Sequence, residues 1–270
     1  MSLRAEAMEA MLAIATDAAG IVQRTYDTPG LQVEFKEGDD PVTAADRDAN
    51  AFITAALARR FPGVPIVAEE SDPTTFAGFQ ASPAAFFVDP LDGTREFVGR
   101  TGEFAVMLGL AEDGRPTAGA IVAPAKGRAF VAAMGAGAFE VRADGTRMPI
   151  AVSAQTDIAR ATCVVSRWHR PPASDALLGK LGARLRVVGS AGLKGLEVAT
   201  GEADLYVQPT MAGYLWDTCA PEAIARAAGA VFTDARGAPI DYRRARLDNH
   251  AGVCAGNPIL HAAALARLWG

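Results

Sequence analysis

The sequence predicts an α+β N-terminal half with an antiparallel sheet, joined to an α/β C-terminal half. Two patterns carry this. Residues 103–141 are short apolar runs broken by turn residues, whereas residues beyond 150 alternate strand-like and helix-like segments. A polar stretch, Ala143-Asp144-Gly145-Thr146, separates the two patterns, and the boundary falls near Pro149. The units are therefore read as 1–149 and 150–270.

Taken in order, Met8, Leu12, Ala15, Ala19, Val22 and Tyr26 recur in steps of three and four, the stripe of an amphipathic helix from Leu3 to Tyr26. Leu31 to Lys36 alternates like a half-buried strand. Thr43 with Asp46 resembles a capping box, with Asp in place of the usual Glu or Gln, and opens a helix that stops near Phe61-Pro62-Gly63. A short strand, Pro65 to Ala68, leads into Glu69-Glu70. A second apolar run, Phe86-Phe87-Val88, reads as a strand end. The antiparallel meander follows, with turns at Asp113-Gly114-Arg115-Pro116 and Lys126-Gly127. In the second half, strands are expected at 162–166, 185–188, 203–207 and 252–255. Helices are expected at 174–181, 193–200, 219–228 and 258–269.

The 270 residues suffice for a large core, and a hydrophobic fraction of 50% with 21% charged is that of a soluble globular protein. The net charge of −5 argues against a nucleic-acid polymer as partner, since phosphate backbones are bound by basic surfaces. It leaves room for a small phosphorylated ligand held through a metal. Cys163, Cys219 and Cys254 lack C-x-x-C spacing and read as small buried hydrophobes in a reducing compartment. Glu6, Glu9 and Asp17 interrupt any signal sequence, and no apolar run is long enough to span a membrane, so a cytoplasmic location is expected.

The chemistry concentrates at Asp89-Pro90-Leu91-Asp92-Gly93-Thr94. Proline fixes its own φ, glycine permits a tight turn, and threonine suits a helix start. Two carboxylates and a carbonyl suit a hard cation such as Mg²⁺, and helix-start amides suit a phosphate. An Asp-rich capping turn is the plain alternative. Glu69-Glu70 and Trp216-Asp217 add acids beside apolar segments. If these converge, carboxylates about 4 Å apart repel by roughly 4 kcal/mol per pair at an effective dielectric near 20, and a divalent cation is implied.

Asp89-Pro90-Leu91-Asp92-Gly93-Thr94, preceded by Glu69-Glu70-Ser71 and followed by Trp216-Asp217, resembles the inositol monophosphatase superfamily of Mg²⁺-dependent, lithium-sensitive phosphatases. Val42-Thr43-Ala44-Ala45-Asp46 and Gly189-Ser190-Ala191 extend the resemblance along nearly the whole chain. It implies the layered αβαβα sandwich shared with fructose-1,6-bisphosphatases. It implies a first metal at Glu69, Asp89 and the Leu91 carbonyl, and a second at Asp89, Asp92 and Asp217. Glu70 would stand near a third, giving two or three Mg²⁺ per site. Thr94, bonded to Asp46, would orient the attacking water with help from Glu69, while the Gly93 and Thr94 amides hold the phosphate. Lys36 lies where the superfamily has a lysine near the site.

Asp89 to Phe97 with Gly102-Glu103-Phe104, and Trp216 to Glu222, are similar to the 3′(2′),5′-bisphosphate nucleotidase branch, which acts in sulfur assimilation on 3′-phosphoadenosine 5′-phosphate. So are Gly189-Ser190-Ala191-Gly192-Leu193-Lys194 and Ser166-Arg167-Trp168-His169, in which Trp168 departs from the branch's Ser-Arg-Ser-His. Ser166, His169, Ser190, Lys194 and Asp217 are then the expected substrate contacts, Lys194 facing a second phosphate. An exposed loop histidine and a surface helix lysine are the alternatives for His169 and Lys194. Inositol phosphate, histidinol phosphate or a sugar bisphosphate are the competing substrates, and a catalytically silent metal or phosphate binder is the competing class. A haloacid-dehalogenase-type phosphatase is disfavoured, since its two aspartates are separated by one residue rather than two. The chain is expected to act as a monomer or homodimer.

Overall fold

The computed structural model describes residues 2–30, 32–36 and 40–270, excluding the side chains of Lys36 and Asp40. Its first half comprises α1 (Leu3–Asp27), the paired strands β1 (Val33–Lys36) and β2 (Asp40–Thr43), α2 (Ala44–Arg60), β3 (Ile66–Ala68), β4 (Ala84–Asp92) and α3 (Thr94–Val98). Then come β5 (Ala105–Glu112), β6 (Arg115–Ala123), β7 (Arg128–Ala133), β8 (Gly137–Val141) and β9 (Arg147–Pro149). Strands β3 to β9 form a seven-stranded sheet in chain order, antiparallel except for β3 beside β4. The second half comprises β10 (Thr162–Val165), α4 (Pro172–Lys180), β11 (Arg184–Val187), α5 (Ala191–Ala199), β12 (Leu205–Gln208), α6 (Leu215–Ala227), β13 (Val231–Thr233), β14 (Val253–Gly256) and α7 (Pro258–Trp269). Its five-stranded sheet has the order β11-β10-β12-β14-β13, parallel around β10 and antiparallel around β14.

Side-chain alternation along single strands sets the layers, because successive residues of a strand face opposite ways. Phe86 and Val88 of β4 enter the core shared with α1 and α2, while Ala85 and Phe87 enter a central core. That central core also takes Cys219, Ala220 and Ile224 from α6, Leu193 and Leu196 from α5, and Val164 and Tyr206 from the second sheet. Cys163 and Val165 of β10 face the other way, into a third core with Leu178, Leu260 and Leu268. The order is therefore α1/α2, sheet, α5/α6, sheet, α4/α7: five layers, as the resemblance implies. No helix among the described residues is long and apolar enough to cross a membrane. All three cysteines are free and buried, and burial pushes the Cys163 thiol up to about 12.

Two glycines seat α6 directly on the first sheet. A Cβ on Gly109 would meet Cys219 Sγ at 2.6 Å and Ala220 N at 2.7 Å, and one on Gly119 would meet Ala220 O at 2.8 Å. Backbone atoms cannot give way as a flexible side chain can, so the close approach requires these hydrogens. On the same helix Glu222 is buried, within hydrogen-bond reach of the Tyr242 hydroxyl (2.9 Å), with Arg226 at 3.5 Å.

Gly109→Ala is expected to destabilise the fold by about 1–3 kcal/mol through overpacking, read as a lower Tm. Burial pushes the Glu222 carboxyl from its ordinary 4.5 up to about 7, against the opposing pull of Tyr242, Arg226 and Arg115. Between those two values the unfolded chain has lost a proton that the folded chain keeps, so stability falls as pH rises across that window. Glu222→Gln removes this dependence, and its Tm relative to the unsubstituted protein should therefore be higher at pH 8 than at pH 4. An equal difference at both pH values would show that Glu222 does not titrate in this way.

Candidate active site

Asp89 and Asp92 are three positions apart, which in a regular strand would place them on opposite faces. The motif reads as a turn after a strand ending near Val88, but β4 runs on through Asp92 with a bulge. Asp89 pairs with Met107 and Asp92 with Ala105, so β4 carries one extra residue between them. Pro90, which has no N–H to give the ladder, lies inside this irregularity. The extra residue restores the phase. Met107 and Ala105 both belong to the central core, whereas Leu91 drops into the core beneath α1 and α2. Both aspartates thus face the layer that holds α6. Glu69 stands beside them because its amide donates to Val88 O (3.1 Å), extending the parallel pairing of β3 with β4.

Helix N-termini hold the acids in place. Asp217, in the first turn of α6, accepts from the Tyr214 amide (2.6 Å). Asp92 accepts from the Ala191 (2.9 Å) and Gly192 (2.7 Å) amides at the start of α5, and from the Ser190 hydroxyl. Asp46 completes the capping box of α2, its Oδ2 accepting from the Thr43 amide and hydroxyl, each at 2.7 Å. Its Oδ1 is left for the Thr94 hydroxyl at 3.0 Å, which also lies 3.1 Å from Leu91 O. Partial positive charge at a helix start favours an anion there. Thr94 itself begins α3, after Gly93 in the left-handed region (φ 90°). Phe97 pins that short helix, packing against Tyr26 (5.2 Å) and Phe104 (5.0 Å).

Asp89, Asp92 and Asp217 each offer an oxygen within 4.8 Å of the others. Burial first, and then the charges of Glu69, Asp92 and Asp217, push Asp89 well above the usual carboxylate range. Burial likewise raises Asp46, with Glu70 adding to the effect, although its hydrogen bonds to Thr43 and Thr94 oppose it. Each carboxylate oxygen has two lone pairs, so those already bonded to an amide retain room for a cation. An all-oxygen donor set with uncompensated charge fits a hard divalent metal ion.

These acids share a cavity of about 550 Å³ with the other expected contacts. Glu69, Leu91, Gly93, Thr94, Ser166, His169, Ser190 and Lys194 all line it, whereas Asp46 and Glu70 are not among its lining residues. The side chain of Lys36 lies outside the described part of the structure. Lys194 is 4% exposed, and its amine donates to the carbonyls of Gly189 (2.6 Å) and Ser190 (2.8 Å), bracing the loop that binds Asp92. Burial pulls its ammonium below the ordinary lysine range, opposed by Asp92, Glu96, Asp217 and Glu103. The Ser166 hydroxyl accepts from the His169 amide (3.2 Å). The motif reading did not select Arg95, Met211 or Tyr214, which also line the cavity, nor the buried Glu96 beside Trp168. Arg95 and Glu96 lie inside the quoted motif stretch, but Met211 and Tyr214 carry no spacing signal.

The model of the inositol monophosphatase family matches residues 4–270. The 3′(2′),5′-bisphosphate nucleotidase CysQ of Escherichia coli K12 is 37% identical over 232 residues, 85% of this chain and 91% of that protein. A histidinol-phosphatase of Mycobacterium tuberculosis is 32% identical over 265 residues, 95% of each chain. Among solved structures, the extragenic suppressor protein suhB of Bartonella henselae superposes with a TM-score of 0.84 at 28% identity, covering 98% of both chains. A match to the family along nearly its full length, over a fold and an acidic cavity of this kind, leads to one conclusion: the chain belongs to the inositol monophosphatase family of phosphatases.

Proposed function

We propose that this protein is a Mg²⁺-dependent phosphomonoesterase that hydrolyses the 3′-phosphate of 3′-phosphoadenosine 5′-phosphate to give AMP and phosphate. The observation that carries the reaction is the triad Asp89, Asp92 and Asp217 at one cavity with Thr94 and Glu69. The substrate rests on the likeness to the Escherichia coli nucleotidase and on Ser166 and His169 in the same cavity wall. Residues 1–149 would supply most of the metal site, and residues 150–270 would complete it through Asp217 and contact the substrate.

Glu69, Asp89, the Leu91 carbonyl, Asp92 and Asp217 would hold the Mg²⁺ ions, with Glu70 an outer candidate. Bound there, the cations supply charge neutralisation for the phosphate and acidify the attacking water. Thr94 donates its hydroxyl hydrogen bond to Asp46 and so presents its lone pairs to that water, while Glu69 would help by taking the water's proton. The Gly93 and Thr94 amides hold the phosphate. Ser166 and His169 face the rest of the substrate. Ser190 and Lys194 act from beneath, because their polar atoms are engaged with Asp92 and with the 189–190 carbonyls. A histidinol-phosphate phosphatase is the second reading, favoured by the mycobacterial relative.

Phosphate release with Mg²⁺ from the adenosine bisphosphate, inositol 1-phosphate, histidinol phosphate and fructose 1,6-bisphosphate tests the assignment. The highest kcat/KM is expected for the adenosine compound, and a higher value for any of the others overturns it. Asp89→Asn should cut turnover roughly 10³-fold or more, corresponding to the several kcal/mol a bound cation contributes. It also removes one of the mutually repelling carboxylates. Its Tm in chelator should therefore exceed that of the unsubstituted protein, and its gain in Tm on adding Mg²⁺ should be smaller. A lower Tm in chelator with an undiminished response to Mg²⁺ would exclude Asp89 as a ligand.

A further inference from the structure

Trp168 is 56% exposed, yet its ring is tied down. The indole N–H donates to Glu96 Oε1 at 2.8 Å, and Glu96 is 3% exposed on α3, in the other half of the chain. Arg167 reinforces the tie, with Nη1 3.1 Å from the same Glu96 oxygen and Nη2 2.7 Å from Glu103. On the residue after Trp168, Gln208 Nε2 donates to His169 O at 2.6 Å, and the His169 amide donates to the Ser166 hydroxyl. The segment 166–169 is thus bonded on both sides of Trp168.

A single exposed apolar side chain needs no explanation, but several gathered at one cavity mark a place where a ligand binds. Trp168 lines the cavity of the acid cluster, together with Met211 and Tyr214, which are likewise exposed. The Tyr214 ring is itself held, stacked on Trp216 at 4.8 Å with 17° between planes. One cavity therefore carries carboxylates suited to a metal-bound phosphate and fixed aromatic faces suited to a flat ring.

We propose that Trp168, held by Glu96, is a stacking platform that selects substrates whose phosphate is carried by a planar heteroaromatic group. This rests on the reading of the cavity as a phosphatase site, and it extends that reading to the part of the substrate remote from the reacting phosphate. A ring fixed before binding loses little freedom when the ligand arrives, so its contact goes largely into affinity. Stacking of a base on an aromatic side chain is worth roughly tenfold or more in binding.

The test is the affinity of the full-length protein, with Mg²⁺, for AMP and for ribose 5-phosphate, by titration calorimetry. The two ligands share a phosphorylated ribose and differ in the ring. The unsubstituted protein should bind AMP about tenfold more tightly or better. Trp168→Ala should abolish that advantage while leaving ribose 5-phosphate within about twofold, and Trp168→Phe, which keeps an aromatic face but loses the N–H bond to Glu96, should retain only part of it. Equal weakening of both ligands by Trp168→Ala would assign Trp168 a structural role and overturn the proposal, as would no change in either. Turnover tests the proposed substrate separately. An enzyme that prefers inositol 1-phosphate, yet keeps a Trp168-dependent advantage for AMP, loses the substrate assignment and retains the platform.

Discussion

Carboxylates brought within 4.8 Å of one another, with Asp89 and Asp92 buried, are opposed by folding itself, through mutual repulsion and through loss of water. At an effective dielectric near 20 each charged pair costs roughly 3 to 4 kcal/mol, a large share of the 5–15 kcal/mol that holds an ordinary domain together. The surrounding structure is arranged to bear this. Asp46, Asp92 and Asp217 each accept amide hydrogen bonds at the start of a helix, and the buried Lys194 adds a positive charge below the loop that binds Asp92. Those amides are taken up by the acids, so the amides proposed to hold the phosphate are a separate pair, Gly93 and Thr94 at the start of α3.

Convergence then depends on two local departures from regular structure. The extra residue at Pro90 turns Asp89 and Asp92 to the same side of the sheet, and Gly109 with Gly119 lets α6 descend close enough to bring Asp217 to them. The bulge governs direction and the glycines govern distance. Neither residue type takes part in the chemistry, yet a conventional strand or a pair of alanines would leave the acids in different places. Binding a cation to such a cluster is favourable in proportion to the repulsion it relieves, which links metal affinity to the cost carried by the metal-free protein.

Much of this was legible in the chain. The stripe from Met8 to Tyr26 gives α1, the Thr43–Asp46 pair gives the start of α2, and the residues from Pro258 to Trp269 give α7, because helical periodicity and capping are local properties. The strand through Asp92 was not legible, since Pro-Leu-Asp-Gly has the composition of a turn and only pairing with β5 keeps it extended. The strand Val231–Thr233 is not legible because three residues carry no period, and the helical pattern from Cys219 marks only the later part of α6, which begins at Leu215. In the site, the acids were readable from their motifs. The hold of Glu96 on Trp168 and the turning of Lys194 toward two carbonyls arise from tertiary packing, which sequence spacing does not record.

The shared central core also has a meaning for biosynthesis. Strands β4 to β6 present Ala85, Phe87, Met107 and Ile121 on a face that α6 covers. The seven-stranded sheet is complete in the emerging chain at Pro149, but α6 ends only at Ala227, roughly eighty residues later, a delay of about 4 to 16 seconds at ordinary synthesis rates. Through that interval a broad apolar sheet face lacks its native cover. Nascent chains of this protein thus pass through a stage in which they are adhesive, and how much of the product reaches the folded state will depend on how quickly the ribosome delivers α6 and on what shields the sheet until then.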